Sequence, residues 1–114
     1  MKGAFVMPVY NKLVRDRIPE IIQQDGKIVT SRILDDAMYL KELNKKMHEE
    51  LAEYEDAKTN EEAMEELADL LELIHAATAV YGGSFDQLEK IRLEKAEKRG
   101  SFNERIFLME VQDD

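Results

Sequence analysis

Apolar residues along this chain recur at helical spacing far more often than they alternate. Leu40, Leu43, Met47, Leu51 and Tyr54 form an i, i+3, i+4 stripe, which predicts a long helix from Asp36 to about Ala57. Thr59-Asn60-Glu61-Glu62 is a capping-box pattern that opens a further helix, ended by Gly82-Gly83. Ser84-Phe85-Asp86-Gln87 repeats the signal and opens another, ended by Gly100. A shorter first helix is expected through residues 18–22, capped by Asp16 and stopped by Gly26. Two segments break the helical period. KIVTSRIL at 27–34 is β-branched and bounded by Gly26 and Asp35-Asp36, so it reads as a strand. RIFLMEV at 105–111 reads as a second strand, whose one evident partner is the first. The expected fold is all-α: a bundle of about four helices with a minor two-stranded β ribbon, forming a single domain over residues 1–114.

Composition narrows the class. Charged residues reach 36%, well above the roughly 25% of an average soluble domain. With 44% apolar residues and only 5 Gly and 2 Pro, the chain has enough material for one core and little for disorder. There is no Cys, which excludes disulfides, thiolate zinc sites and cysteine nucleophiles, and suits a reducing, cytoplasmic setting. The longest apolar stretch, residues 67–81, is broken by Asp69, Glu72 and His75, so no membrane span is expected. The apolar run before Pro8 is too short for a secretory signal.

The net charge of −9 is unevenly placed. Residues 1–48 balance to +3 and residues 73–114 to −2, whereas residues 49–72 hold 11 acids against Lys58 alone. That distribution disfavours a nucleic-acid partner, since no basic stripe interleaved with aromatics offsets it. It calls for a solvated face, a cationic partner or metal ions.

The third long apolar run makes the choice sharper. Residues 67–77 are apolar nearly all round, the mark of a buried helix, yet Asp69 and Glu72 lie within them and Glu66 just before. An ionised carboxylate removed from water without a partner costs several kcal/mol or more (of the order of the Born penalty), so something must compensate. The preceding helix brings no cation to the matching level; it brings Glu49, Glu50 and Glu53. Residues three apart on a helix project about 60° from one another, so Glu50-x-x-Glu53 and Glu66-x-x-Asp69 each converge on one side. Antiparallel helices joined near Thr59-Asn60 would set the pairs face to face. Hard oxygen ligands without His or Cys point to Mg²⁺, with Mn²⁺ possible, rather than zinc. Glu55, Asp56, Glu61, Glu62 and Glu65 read as an ordinary solvated face. His48 and His75 read as a surface and a core histidine, and Met38, Met47 and Met64 as core filler.

Glu49-Glu50-Leu51-Ala52-Glu53, followed after 12 intervening residues by Glu66-Leu67-Ala68-Asp69, resembles the EExxE…ExxD pattern of the MazG-like superfamily. These are all-α nucleoside triphosphate pyrophosphohydrolases, a group that includes dimeric dUTPases and phosphoribosyl-ATP pyrophosphohydrolase. YNKLVRDRIP at 10–19 and EKRGSF at 97–102 are similar to a small branch of that superfamily, so the likeness spans about residues 10–111. It implies that Glu50, Glu53, Glu66 and Asp69 ligate Mg²⁺ and that Glu49 orients or deprotonates the attacking water. It also implies a phosphate-binding basic set, for which Lys95 and Arg99 match best. Arg92 shares their helix face but stands where the pattern has Asn. Lys12 and Arg15 are further candidates for phosphate contact.

The activity so implied is hydrolysis of a nucleoside triphosphate to monophosphate and pyrophosphate, in a homodimer or higher homo-oligomer with no nucleic-acid or membrane partner. Two alternatives stand beside it. One is a phosphoribosyl-ATP or modified-nucleotide pyrophosphohydrolase using the same metal site. The other is a non-enzymatic acidic helical module that docks a basic protein.

Overall fold

The computed structural model describes residues 9–113, so the run before Pro8 lies outside the described residues. The chain forms four helices: α1 (Ile18–Gln24), α2 (Asp36–Glu55), α3 (Asn60–Val80) and α4 (Phe85–Arg99). The all-α class is therefore as expected, and helix starts follow local capping chemistry. Asp35 accepts a hydrogen bond from the Met38 backbone N–H at 2.8 Å and opens α2. Thr59 accepts from Glu62 N–H at 3.0 Å and opens α3. Glu62 answers by accepting from the backbone N–H of Lys58 at 2.8 Å, one residue outside the cap. Ser84 and Gln87 form the complete reciprocal capping box of α4. Gly82 and Gly100, at φ 76° and 84°, take the left-handed backbone that turns the chain out of α3 and α4.

The first helix differs from expectation at its start. Arg17, not Asp16, holds the N-cap position, and no side chain bonds to the free N–H groups there. Pro19 sits in the first turn, where its missing N–H costs nothing.

Helices α2 and α3, joined by four residues, pack against each other as an antiparallel hairpin, while α4 touches α3 only near their shared connection. There the rings of His75 and Phe85 stack at 3.6 Å. His75 is thus an exposed residue covered on one side by an aromatic ring, not a core histidine. Leu43 is the one apolar residue of the described set that is fully buried. No residue of α3 is buried, and Met64, Leu67 and Leu71 on it are exposed.

The two expected strand segments are irregular: no strand and no ribbon forms among the described residues, and Arg105, expected to open the second strand, has a left-handed φ of 60° after a turn at 103–104.

These features leave an open molecule. Its radius of gyration is 20.0 Å, against about 13 Å for a compact domain of this length. Its accessible surface is 10763 Å² for 13.2 kDa, where a compact monomer of that mass exposes roughly 6,400 Å². The excess, roughly 4,300 Å², lies in the size class of obligate subunit interfaces. No helix is long and apolar enough to cross a membrane.

Candidate metal centre

The α2–α3 hairpin builds one acidic cluster in the third of its length nearest the α2–α3 connection. Glu50 and Glu53, one turn apart on α2, meet Glu66 from α3, and a carboxylate oxygen from each lies within 4.8 Å of the other two. Glu50 is 7% exposed, Glu66 half-buried and Glu53 exposed. As carboxylates, Glu50 and Glu66 each keep one buried oxygen (Oε2) with no hydrogen-bond donor. Buried polar atoms are satisfied in the large majority of cases, so two orphaned oxygens in one cluster call for a proton shared between the carboxyls or for a cation.

The electrostatics agree with the geometry. Burial, reinforced by a hydrogen bond to Glu66 and by the charges of Glu53 and Asp69, raises the Glu50 carboxyl to about 7. The hydrogen bond with Glu50 pulls Glu66 down, but burial and the charges of Glu53 and Asp69 outweigh it, and Glu66 too titrates above its ordinary range. In the absence of a cation the pair therefore retains a proton. Carboxylate oxygens gathered in this way, partly dry and short of donors, could hold a metal ion.

Asp69 stands at the edge of this cluster, close enough for its charge to act on Glu50 and Glu66. Its Oδ1 accepts a hydrogen bond from Arg15 Nη2 at 2.7 Å. Glu49 faces away from the three-carboxylate point toward two lysines, Lys46 Nζ at 3.4 Å and Lys12 Nζ at 3.9 Å. The segment before α1 thus lays Lys12 and Arg15 along the acidic face.

The α4 cations behave differently. Arg92 donates from Nε to both carboxylate oxygens of Glu89, at 3.0 and 3.1 Å, and holds that carboxyl below its usual range. Lys95 and Arg99 are exposed, and neither forms an ion pair or hydrogen bond to the acidic cluster within the chain. Sequence spacing anticipates the three converging glutamates. It gives no signal for the Arg15–Asp69 contact, whose partners lie 54 positions apart. The Lys46–Glu49 contact, at i, i+3 on one helix, could have been read from the sequence.

An open apolar trough begins within two turns of the cluster, where α2, α3 and α4 approach. Met47, Ile74, Ala77, Tyr81, Leu88 and Ile91 line it. Met47 is one turn before Glu50 on α2, and Ile74 lies five residues after Asp69 on α3.

Comparison with known proteins adds one partial likeness. The chain is 44% identical over 54 residues to an uncharacterised protein of Mycolicibacterium smegmatis, a match that covers 47% of this chain and 55% of that protein. The chain thus spans about half the length of the curated relative it matches. No family model matches the chain, and no solved structure does.

Proposed function

We propose that this protein is a Mg²⁺- or Mn²⁺-dependent nucleotide pyrophosphohydrolase, acting on a nucleoside triphosphate or a related nucleotide. The observation that carries the reading is the meeting of Glu50, Glu53 and Glu66 with two buried, donorless oxygens. The resemblance of the acidic motifs to the MazG-like pattern supports it.

Glu50, Glu53 and Glu66 would hold the ion, with Asp69 joining them once freed from Arg15. A divalent cation bound there supplies the positive charge that a triphosphate needs in order to approach carboxylates, and it acidifies water. Lys12 and Arg15 already stand on the rim of the cluster, and their charges are placed to pair with phosphate oxygens. In this reading Glu49, paired with Lys46 and Lys12 beside the cluster, would turn from them to orient the attacking water and to take its proton. Attack at the α-phosphorus breaks the bond to the bridging oxygen, giving monophosphate and pyrophosphate. Lys95, Arg99 and Arg92 would meet the leaving pyrophosphate if α4 of the same or a second copy closes over the site. The apolar trough one turn away suits a base. Assembly as a homodimer or larger homo-oligomer accords with the uncovered α3 and the excess surface.

The test is a nucleotide panel, including phosphoribosyl-ATP, incubated with Mg²⁺, Mn²⁺ or EDTA. Equal amounts of monophosphate and pyrophosphate are expected, and only with metal. Orthophosphate and diphosphate as main products, or turnover unaffected by EDTA, would rule the assignment out.

A further inference from the structure

Two segments of the chain outside the helices match each other and are unpaired. Residues 27–34 contain four β-branched side chains in eight positions, and residues 106–113, which follow the turn at 103–104 and the left-handed Arg105 (φ 60°), contain Ile106, Phe107, Leu108, Met109 and Val111. These are strand-forming residues. Among the described residues, neither 27–34 nor 106–113 has a backbone hydrogen bond. Their apolar side chains stand in solvent: Ile28 and Ile33 are 97% and 96% exposed, Phe107 and Met109 83% and 81%. Unpaired backbone bearing large apolar side chains is the template that strand addition uses.

The segments are also complementary. Each spans about 26 Å when extended at the usual rise per residue. Lys27 and Arg32 give the first a charge of +2, whereas Glu110 and Asp113 give residues 106–113 a charge of −2. Within one chain they do not meet. Residues 27–34 lead into the start of α2, the end of the antiparallel hairpin where α3 finishes. The C-terminal arm begins only after α4, a rod of about 22 Å, and every residue from 101 to 113 is exposed. A single copy thus presents one strand at each of two separated places, with surface to cover of the size an obligate dimer buries.

We propose that residues 27–34 of one copy pair with residues 106–113 of a second copy, so that a twofold dimer exchanges its C-terminal arms and carries two such ribbons. The closed symmetry satisfies both segments of both chains at once. This pairing stands or falls independently of nucleotide hydrolysis.

The absence of Cys makes the test direct. Single cysteines are placed at Ile28, Thr30 or Arg32 in one tagged chain, and at Ile106, Leu108 or Glu110 in another of different mass. The two chains are refolded together and oxidised. A disulfide needs Cα atoms roughly 4.4–6.8 Å apart, so only paired positions close efficiently. Mixed-mass disulfide dimers are expected for a subset of pairs that fixes one register. A double variant such as Thr30→Cys/Leu108→Cys that closes as a monomer at high dilution would instead place the ribbon within one chain and overturn the proposal. So would a dimeric parent in which none of the nine pairs cross-links. A chain ended at Gly100 gives a second reading: helical circular dichroism is retained while the dimer dissociation constant rises at least tenfold. Unchanged dimer affinity in that variant would also overturn it.

Discussion

Arg15 Nη2 lies 2.7 Å from Asp69 Oδ1, and this contact ties the segment before α1 to the edge of the carboxylate cluster. It places a fixed positive charge on the carboxylate that a bound cation would otherwise recruit. The side chains are 58% and 41% exposed, so the pair is worth at most about 1 kcal/mol. Arg15→Ala should therefore tighten Mn²⁺ binding by about two- to fivefold, measured by calorimetry, because the competing guanidinium is gone. Turnover should fall in the same variant, since the proposed reaction also uses Arg15 against the phosphates. Weaker Mn²⁺ binding would show that Arg15 supports the site and does not compete for it.

Glu50 makes stability depend on pH. Its folded-state pKa is about 7, above the ordinary value, so the folded chain holds a proton that the unfolded chain has released. Between about 4.5 and 7 the unfolded state binds fewer protons, and stability therefore falls as pH rises through that window. The loss is on the order of 3 kcal/mol in EDTA. Glu50→Gln removes the titrating group, so denaturant unfolding of the variant in EDTA should show a flatter profile from pH 5 to 8. At pH 8 the variant should be the more stable chain. A steep profile that survives the substitution would assign the effect to other carboxylates.

The meeting of Glu50, Glu53 and Glu66 follows from one helical turn on each of two antiparallel helices, and local spacing is enough to foresee it. Capping chemistry likewise places the starts of α2, α3 and α4 to within a residue. The misses share a different cause. Asp16 looks like a cap, but the helix begins with Arg17 at that position because the Pro19 ring already organises the first turn. His75 lies among Ala and Leu, and periodicity reads such a position as core. The α3 face that carries it has no cover in one chain, so the residue stays exposed and stacks on Phe85. Apolar periodicity reports which faces need covering, but not which chain covers them. The Arg15–Asp69 pair is tertiary, and no local pattern encodes it.

Thermal stability should depend on protein concentration. With one fully buried apolar side chain among the described residues and large exposed apolar surfaces on α3, a lone chain has little core to hold it. If folding is coupled to association, the unfolding midpoint rises with total protein by mass action. A tenfold dilution should lower it by several degrees, and light scattering should give a multiple of 13.2 kDa. A midpoint independent of concentration, with a monomer mass, would refute this.

The carboxylates should show opposite effects on stability with and without metal. Three acids within 4.8 Å repel one another in the empty cluster, by up to roughly 3 kcal/mol per fully ionised pair at an effective dielectric near 20. Proton uptake by Glu50 and Glu66 relieves part of that, so Glu53→Gln or Glu66→Gln should be as stable as the parent in EDTA or slightly more so. Metal reverses the order. At 100 times its dissociation constant a ligand adds about 2.7 kcal/mol to the parent, and a variant lacking one ligand loses most of that gain. Turnover should drop by orders of magnitude in both variants. Asp69→Asn is distinguishable from them: it loses turnover, but it also gives up the Arg15 pair, so its EDTA melt should fall slightly. Arg92→Ala serves as the contrast, because its guanidinium is engaged by Glu89 and lies off the cluster; its metal-induced shift should match the parent's. Equal melts for all five proteins in Mg²⁺ would identify the glutamates as an ordinary solvated face.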